Sequence, residues 1–284
     1  MNYFDTIKDA NQKQTDLLIK DDIIKELNLI NKSISKFIEL KIFNSIESTN
    51  ESLRHDLTNS LVQIDDKVII YTAEHQTQGK GRGKNKKWES PYGENLYISF
   101  AWKVPPVMLK KISSLSIKLS QIIIELLLDY KLSNINLKWP NDIYVNNKKI
   151  SGILIDIVKL NNDEYVLISG IGLNVNMTEN EILQNTSIKS ALRLNNNLNR
   201  TLVLTNLIEK VVAVCSKNNY SIDFIKLKEY NILNYNKAID KSIKLIINNK
   251  EYIAKYLNIT SHGALEVLID GEIKKIYSVD KLIL

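Results

Sequence analysis

A short segment between residues 78 and 90, QGKGRGKNKKWES, combines three glycines with five basic side chains in front of a tryptophan. Glycine lets backbone amides approach an anion closely, and lysine and arginine donate charge-assisted hydrogen bonds to carboxylates and phosphates. The segment has neither the GxxxxGK[ST] pattern of a P-loop nor the GxGxxG pattern of a dinucleotide-binding turn. It therefore predicts an anion-binding loop of another kind, with a basic, solvated surface loop as the alternative.

The segment ESTNESL predicts the beginning of a helix. Ser48 and Glu51 have the S-x-x-E spacing of a capping box, which would place Thr49 and Asn50 in the first helical turn. Polar side chains in that position could bind a ligand. The alternative is an ordinary helix N-terminus.

A third segment, LKWPNDIYV, places a lysine and a tryptophan, Lys138 and Trp139, at the end of a predicted strand. The residues that follow them, proline, asparagine and aspartate, favour a turn. A lysine held beside a tight turn could supply a fixed positive charge. The alternative is a simple hairpin corner.

Strands and helices alternate through the middle of the chain. Runs rich in β-branched and aromatic residues predict strands at KVIIYTAE, NLYISFAW, INLKWPNDIYV, KISGILIDIV and EYVLISGIGLNV. Helical spacing of leucine and isoleucine predicts a core helix over SLSIKLSQIIIELLLDY and another from residue 202 to about 233. The basic loop therefore connects two strands, since it leaves VIIYTAE and enters NLYISF.

The two ends of the chain differ from its middle. Residues 1–41 are polar and lysine-rich, with apolar residues at helical spacing, and predict a peripheral helical extension. The C-terminal runs SIKLIINN, YIAKYLNI, ALEVLID and EIKKIYSV predict short strands, with a hairpin at Asp270-Gly271. We predict three parts: an extension (1–41), a larger domain (42–235) and a small β-barrel (236–284).

Composition limits the possible functions. The formal net charge of +6 and pI of about 9.0 accompany lysine, asparagine and isoleucine along the whole chain, which favours compositional bias over a nucleic-acid surface. The single cysteine, Cys215, lies in an apolar helical run and predicts a core residue. Three separated histidines, His55, His75 and His262, predict no metal site. No apolar run is long enough to span a bilayer, and we expect a cytoplasmic protein.

The segments ESTN, QTQGKGRGKNKKW, LKWPND, KISGILID and GIGLNVN, in this order and spacing, resemble the biotin protein ligases. The resemblance extends over residues 42–284, because HGALEV and DGEIKKIYS resemble that family's C-terminal domain. It implies an α+β fold: a mixed β-sheet flanked by helices, of the class II synthetase-like type, followed by a small SH3-like β-barrel. The implied reaction uses biotin and Mg²⁺-ATP, forms biotinyl-5′-AMP, and transfers biotin to a lysine of a biotin carboxyl carrier protein.

The resemblance also implies roles for individual residues. Lys138 would be the central cation and, with Arg82, would act in catalysis. The biotin site would be formed by Ser48, Thr49, Asn50, Gln76, Lys80, Gly81, Arg82, Lys138 and Gly152. The nucleotide site would be formed by Gly79, Trp88, Asn141, Asn174 and Asn176, with no metal bound by protein side chains alone.

Two features depart from the family pattern. The usual GRGRxxRxW is replaced by GKGRGKNKKW, so Lys80 stands where arginine is expected and one extra residue precedes Trp88. Lysine keeps the charge but loses the two-pronged hydrogen bonding of arginine. The loop has little to pack with, and we expect it to become ordered when ligand binds. Residues 1–41 show no helix-turn-helix with a β-wing, which predicts a ligase without repressor activity, in which a homodimer is possible. We therefore also predict that biotin transfer does not need residues 1–38.

Three alternatives remain open at this stage. Lipoate or octanoate protein ligases have the same architecture, although no RRxxGGGxVxHD-like segment is present. A DNA-binding regulator could use the basic loop, and a non-enzymatic adaptor could use the C-terminal barrel. Formation of an acyl-adenylate from biotin, from lipoate or from neither acid would distinguish these readings.

Overall fold

Two β-sheets and four helices make up the regular structure of residues 17–83, 86–146, 148–161, 163–177, 198–217 and 242–283, which the computed structural model describes. The helices are α1 (Lys20–Ile30), α2 (Thr49–Thr58), α3 (Ile112–Asp129) and α4 (Arg200–Lys217), with 3₁₀ turns at Ile34–Phe37 and Pro106–Lys111. The strands are β1 (Ile38–Phe43), β2 (Val68–Ala73), β3 (Leu96–Val104), β4 (Ile135–Lys138), β5 (Asp142–Val145), β6 (Lys148–Lys159), β7 (Tyr165–Leu173), β8 (Ser242–Ile247), β9 (Lys250–Ile259), β10 (Leu265–Ile269), β11 (Glu272–Ile276) and β12 (Lys281–Ile283).

The larger sheet is mixed and has the strand order β1-β2-β3-β7-β6-β5-β4. Strands β1 and β2 run parallel, and the other neighbours are antiparallel. The smaller sheet is antiparallel, with the order β11-β10-β9-β8-β12. This arrangement confirms the predicted α+β class, with a mixed sheet, flanking helices and a small C-terminal β domain.

Helices cover the two faces of the larger sheet unequally. Helices α1, α3 and α4 pack together on one face, where their apolar residues join one cluster with the sheet. That cluster continues without a break into the smaller sheet, at Leu245 and Val267. Helix α2 lies on the other face and buries Leu53 and Leu57 in a smaller cluster. The second face is therefore covered by fewer helices than the first.

Several predicted elements are confirmed with small changes. The core helix occurs as α3, and the hairpin at Asp270-Gly271 joins β10 to β11, with both turn residues at positive φ. The run INLKWPNDIYV is a hairpin of β4 and β5 rather than one strand, because Trp139-Pro140-Asn141 turns the chain. Of the helix predicted from 202 to about 233, α4 accounts for residues up to 217. The rest lies outside the described residues.

The predicted boundary at residue 41 falls inside β1, whose partner β2 belongs to the central sheet. Helix α1 contributes Ile23 and Leu27 to the main core, and both side chains are fully buried. The described part of the predicted extension is therefore built into the core of the larger domain, and the expectation that ligase activity does not need residues 1–38 stays a prediction. Cys215 lies in the core as predicted, and burial raises the pKa of its thiol. None of the helices described here is long and apolar enough to cross a membrane.

Two leucines of α1 provide a matched test of this integration. Leu27 is fully buried, whereas Leu29 is 72% exposed on the same helix. We expect Leu27→Ala to lower the free energy of unfolding by at least about 2 kcal/mol, since it leaves a cavity in the core. We expect Leu29→Ala to change it by less than about 0.5 kcal/mol. Urea denaturation measures both, and equal small effects would mean that α1 is peripheral after all.

Candidate active site

Polar side chains at the start of α2 form one side of the candidate site. Ser48, Thr49 and Asn50 are each at least 96% buried, although they are polar. The Thr49 backbone N–H and hydroxyl both donate to Gln76 Oε1, at 2.9 and 3.2 Å. Helix α2 therefore begins where its sequence predicts, and its first turn is tied to the chain just after β2.

The predicted capping box is not formed. Ser48 occupies the N-cap position in an extended conformation but makes no side-chain cap hydrogen bond. The Glu51 carboxylate instead lies 3.1 Å from the Lys80 Nζ atom of the basic loop. A partner from a distant loop thus replaces the local contact that the S-x-x-E spacing predicts.

The Asn50 side chain links α2 to three strands. Its Nδ2 atom donates to Asp156 Oδ2 at 3.0 Å, and its Oδ1 atom accepts a short hydrogen bond from the Ser99 hydroxyl. Its amide also lies directly over Gly170, where any Cβ atom would overlap it. The Asp156 carboxylate is paired in turn with Arg54 at 3.1 Å. These bonds fix the orientation of the Asn50 amide.

Three of these residues, Ser99, Asp156 and Gly170, were not predicted as site residues. All three lie in the central strands β3, β6 and β7, on the face that α2 covers. A single serine, aspartate or glycine in an otherwise apolar strand is only a weak indication of a site residue. Only the pairing of the strands brings them together.

The basic loop closes on itself as a narrow hairpin. The Gly81 N–H donates to the Lys86 carbonyl at 2.8 Å, and the Trp88 N–H donates to the Gly79 carbonyl at 2.9 Å. A Cβ atom on Gly79 would overlap the Trp88 carbonyl. In this structure the glycines therefore allow the loop's own backbone to close, and the Gly81 amide is engaged within the loop.

Two of the loop's five basic side chains, Lys80 and Arg82, contact different partners. Lys80 pairs with Glu51 of α2, and its side chain is 52% exposed. Arg82 is half-buried and donates from Nη2 to the Ser278 hydroxyl, at 2.7 Å, in the C-terminal domain. Burial lowers the pKa of Arg82, and the nearby carboxylates of Asp142 and Asp280 oppose that effect.

The indole of Trp88 lies over two glycines of neighbouring strands. A Cβ atom on Gly172 would overlap the indole ring, and one on Gly152 would lie 3.0 Å from it. The Lys149 Nζ atom lies 5.3 Å from the centre of that ring and 2.7 Å from Asp142 Oδ1. Gly152 was predicted to make room for a bicyclic ring, and here that room is taken by an aromatic ring of the protein.

Lys138 ends β4 and is half-buried. Its Nζ atom lies 6.0 Å from the centre of the Tyr144 ring. Trp139 is almost fully buried, and its Nε1 atom donates to the Gly263 carbonyl, at 2.9 Å, in the C-terminal domain. Burial and the neighbouring Asp142 raise the pKa of Tyr144 to about 12, so that phenol is neutral at physiological pH.

Asp142 interacts with the neighbouring strands and with the basic loop. Its backbone pairs with Lys138 on one side and with Gly152 on the other. Its carboxylate binds Lys149, and its charge also acts on Arg82. The hairpin of β4 and β5 thus brings Lys138 to the same region as the basic loop.

The three predicted nucleotide-side asparagines have different environments. Asn141 exchanges hydrogen bonds with the backbone of Ile153, at 2.7 and 3.0 Å, and Asn176 does so with Leu198, at 2.9 Å for both bonds. These two side chains brace the backbone. The Asn174 Oδ1 atom is buried and accepts no hydrogen bond from any residue that the structure describes. It is therefore the one of these three asparagines whose side-chain oxygen is buried without a described hydrogen-bond partner.

No group of three or more histidine, cysteine, aspartate or glutamate side chains within the described ranges could hold a metal ion. The carboxylates that line the site have cationic or amide partners instead: Glu51 pairs with Lys80, Asp142 with Lys149, and Asp156 with Arg54 and Asn50. These carboxylates are consequently engaged by groups of the protein itself.

Comparison with known proteins agrees with this geometry. Residues 42–174 match the family described as "Biotin/lipoate A/B protein ligase family". The chain is 31% identical over 210 residues to the bifunctional ligase/repressor BirA of Salmonella typhimurium. This alignment covers 71% of this chain and 62% of that protein. The chain is also 30% identical over 197 residues to the human biotin--protein ligase. That alignment covers 67% of this chain and 26% of the human protein.

A solved structure shares the fold over nearly its whole length. The biotin protein ligase from Aquifex aeolicus in complex with biotin and ATP has a TM-score of 0.66 and 26% identity, and the match covers 86% of this chain and 98% of that chain. The match to BirA, by contrast, spans less than two thirds of that relative's length. Sequence and fold agree, and residues 42–174 form a domain of the biotin/lipoate A/B protein ligase family.

Proposed function

We propose that this protein activates biotin with ATP and transfers the biotinyl group to a lysine of a biotin carboxyl carrier protein. The observation that carries the proposal is the arrangement on the α2 face of the sheet. Buried neutral polar groups lie beside glycines of the larger sheet. Three cationic side chains come from the basic loop and from the end of β4. The named functions of the relatives, biotin ligation and binding of biotin and ATP, support it.

The neutral polar groups suit the ureido ring of biotin, which both donates and accepts hydrogen bonds. Thr49, Asn50, Gln76 and Ser99 offer amide and hydroxyl groups that are buried or partly buried and already oriented by one another. Such preorganised groups bind without a further loss of side-chain entropy. The glycines at 152, 170 and 172 let the Trp88 indole and the Asn50 amide lie close to the sheet, beside the place proposed for the ligand.

The cationic side chains suit the reacting anions. In the first step a carboxylate oxygen of biotin attacks the α-phosphorus of ATP, and pyrophosphate leaves with the electron pair of the broken P–O bond. Two like charges ~4 Å apart repel each other by about 4 kcal/mol at an effective dielectric constant of 20. Lys80, Arg82 and Lys138 would offset this repulsion and the charge that develops at the phosphorus.

In the second step the neutral amine of the carrier lysine attacks the acyl carbon of biotinyl-5′-AMP. The C–O bond to phosphate breaks, AMP leaves with the electron pair, and the new amide loses its extra proton to solvent. Asn174 Oδ1 would accept a hydrogen bond from the exocyclic amino group of the adenine. Mg²⁺ would be bound chiefly by the phosphates and water, as is usual for this ion.

Three finer properties belong to the same proposal. A homodimer is supported by β6, because β5 pairs only with Lys148–Gly152 and leaves residues 154–159 with a single described neighbour, β7. Absence of operator binding is supported by α1, which packs against α4. A cytoplasmic location is supported by the single cysteine, Cys215, which is buried and has no second cysteine in the sequence with which to form a disulfide.

Incubation with α-labelled ATP and either biotin, lipoate or octanoate tests the function. We expect biotinyl-adenylate with biotin only, followed by transfer to a recombinant carrier domain. A carrier domain whose target lysine is replaced by arginine is the control and should remain unlabelled. Adenylation of lipoate or octanoate in preference to biotin, or of no acid, would contradict the proposal.

A further inference from the structure

The C-terminal domain contacts the basic loop directly at Ser278. The hydroxyl of this residue accepts the hydrogen bond from Arg82 Nη2, at 2.7 Å, across 196 positions of sequence. No local pattern predicts this contact, and none of the functions proposed above requires Ser278. The question is what a serine from a second domain does for a cation of the active site.

The position of Ser278 is fixed by its own domain. It lies in the connection between β11 and β12, which is tied to β8 by the Asp280 N–H donating to the Ile246 carbonyl at 2.8 Å. The Asp280 carboxylate accepts the Asn249 N–H at 3.1 Å. Ser278 is therefore presented by a braced connection.

The domain itself is docked firmly on the larger one. The Gly263 carbonyl accepts the hydrogen bond of the buried Trp139, and the Gly263 Cα approaches the backbone of α3 so closely that a Cβ atom would lie 2.7 Å from Ser113. This junction is adjacent to Lys138. The hydroxyl of Ser278 thus belongs to a body that is held in place relative to the active site.

Arg82 has donors to spare for a ligand. A guanidinium carries five N–H groups in a fixed plane, and Ser278 engages one nitrogen. The side chain is half-buried between Asp142 of the larger domain and Asp280 of the smaller one. Another basic side chain of the loop, Lys80, pairs separately with Glu51 of α2.

We propose that Ser278 is a positioning residue for Arg82: its hydroxyl holds the guanidinium over the site so that biotinyl-5′-AMP is retained until the carrier lysine arrives. The retained ligand rests on the function proposed above, whereas the positioning does not. Losing the hydrogen bond frees a flexible side chain, and hydrogen bonds to charged donors are stronger than neutral ones. The mixed anhydride is then released into water more often and hydrolyses.

Release of preformed, labelled biotinyl-adenylate measures the effect. We expect Ser278→Ala to speed release about fivefold or more, and Ser278→Thr, which keeps the hydroxyl, to restore retention. Ser242→Ala removes an exposed hydroxyl elsewhere in the same domain and should leave release unchanged. In the Arg82→Ala background, Ser278→Ala should have no further effect. Release within twofold of the parent, or effects that multiply in the double variant, would overturn the proposal.

A second measurement does not depend on ligase activity. Trypsin cleaves after lysine and arginine, and in the protein without ligand we expect Ser278→Ala to speed cleavage at Lys80 and Arg82 threefold or more, with no change in Ser242→Ala. Unchanged cleavage would overturn the positioning role itself. A parent protein that forms no adenylate would overturn the proposed function and the retention role, while the cleavage result would still decide whether Ser278 holds Arg82.

Discussion

Lys138→Ala is expected to lower the rate of adenylate formation by at least two orders of magnitude. Lys138 is half-buried at the end of β4, and the turn after it is held by Trp139 and by the bonds of Asn141 to Ile153. The charge is therefore preorganised where carboxylate and phosphate would meet. Loss of such a contact at a reacting centre typically costs ~3 kcal/mol or more. Single-turnover formation of biotinyl-adenylate measures the effect.

Two further variants make this result specific. Lys138→Met keeps the apolar stem but removes the charge, and it should lose as much activity as Lys138→Ala. Lys148→Ala removes an exposed lysine from the neighbouring strand β6 and should behave like the parent. Near-normal adenylation by a folded Lys138→Met protein would show that the charge is not used in catalysis.

Glu74→Ala is expected to lower the free energy of unfolding by about 4 kcal/mol. The Glu74 carboxylate accepts the Leu18 N–H at 2.6 Å and pairs with Arg200 Nη2 at 2.8 Å. Both side chains are buried, at 4% and 0% exposure, and Arg200 also donates to the Asn95 carbonyl at 3.0 Å. Removing the carboxylate takes one buried negative charge away from the Arg200 guanidinium and leaves the Leu18 N–H without its acceptor, and removing one partner is the costly way to break such a pair.

An exposed pair in the same protein supplies the control. The Lys103–Glu164 pair has a distance of 2.8 Å but side chains that are 36% and 39% exposed. Glu164→Ala should therefore change stability by less than about 1 kcal/mol. Denaturation by urea measures both variants. A loss below about 1 kcal/mol for Glu74→Ala would mean that water reaches Arg200 when the carboxylate is absent.

Local sequence was sufficient for much of the fold. Runs of β-branched residues identified most strands because strand pairing buries them. The site residues were implied instead by the resemblance to a known family, and Thr49 and Gln76, both among them, are bonded to each other. Gly152 was predicted to make room for biotin, and the Trp88 indole lies over it in the structure.

Other contacts depend on distant parts of the chain. Strand β1 was read as part of a helical extension because its partner, the parallel strand β2, lies beyond α2. Glu74 and Arg200 are charged residues, which are normally exposed, and nothing near either one in sequence indicates a buried partner. The Ser48–Glu51 spacing predicted a local cap, but a long-range ion pair with Lys80 took the glutamate instead.

The junction between the two domains constrains how this protein can vary. The indole N–H of Trp139 is buried and has its partner in the Gly263 carbonyl, and the glycine is needed for the close approach to α3. A C-terminal domain exchanged from a relative with another turn would leave that donor unpaired, at a cost of about 1–3 kcal/mol. Positions 139 and 263, although far apart in sequence, are therefore expected to be inherited as a pair, and chimeras of such ligases should tolerate exchange only when both sides of this junction come from one parent.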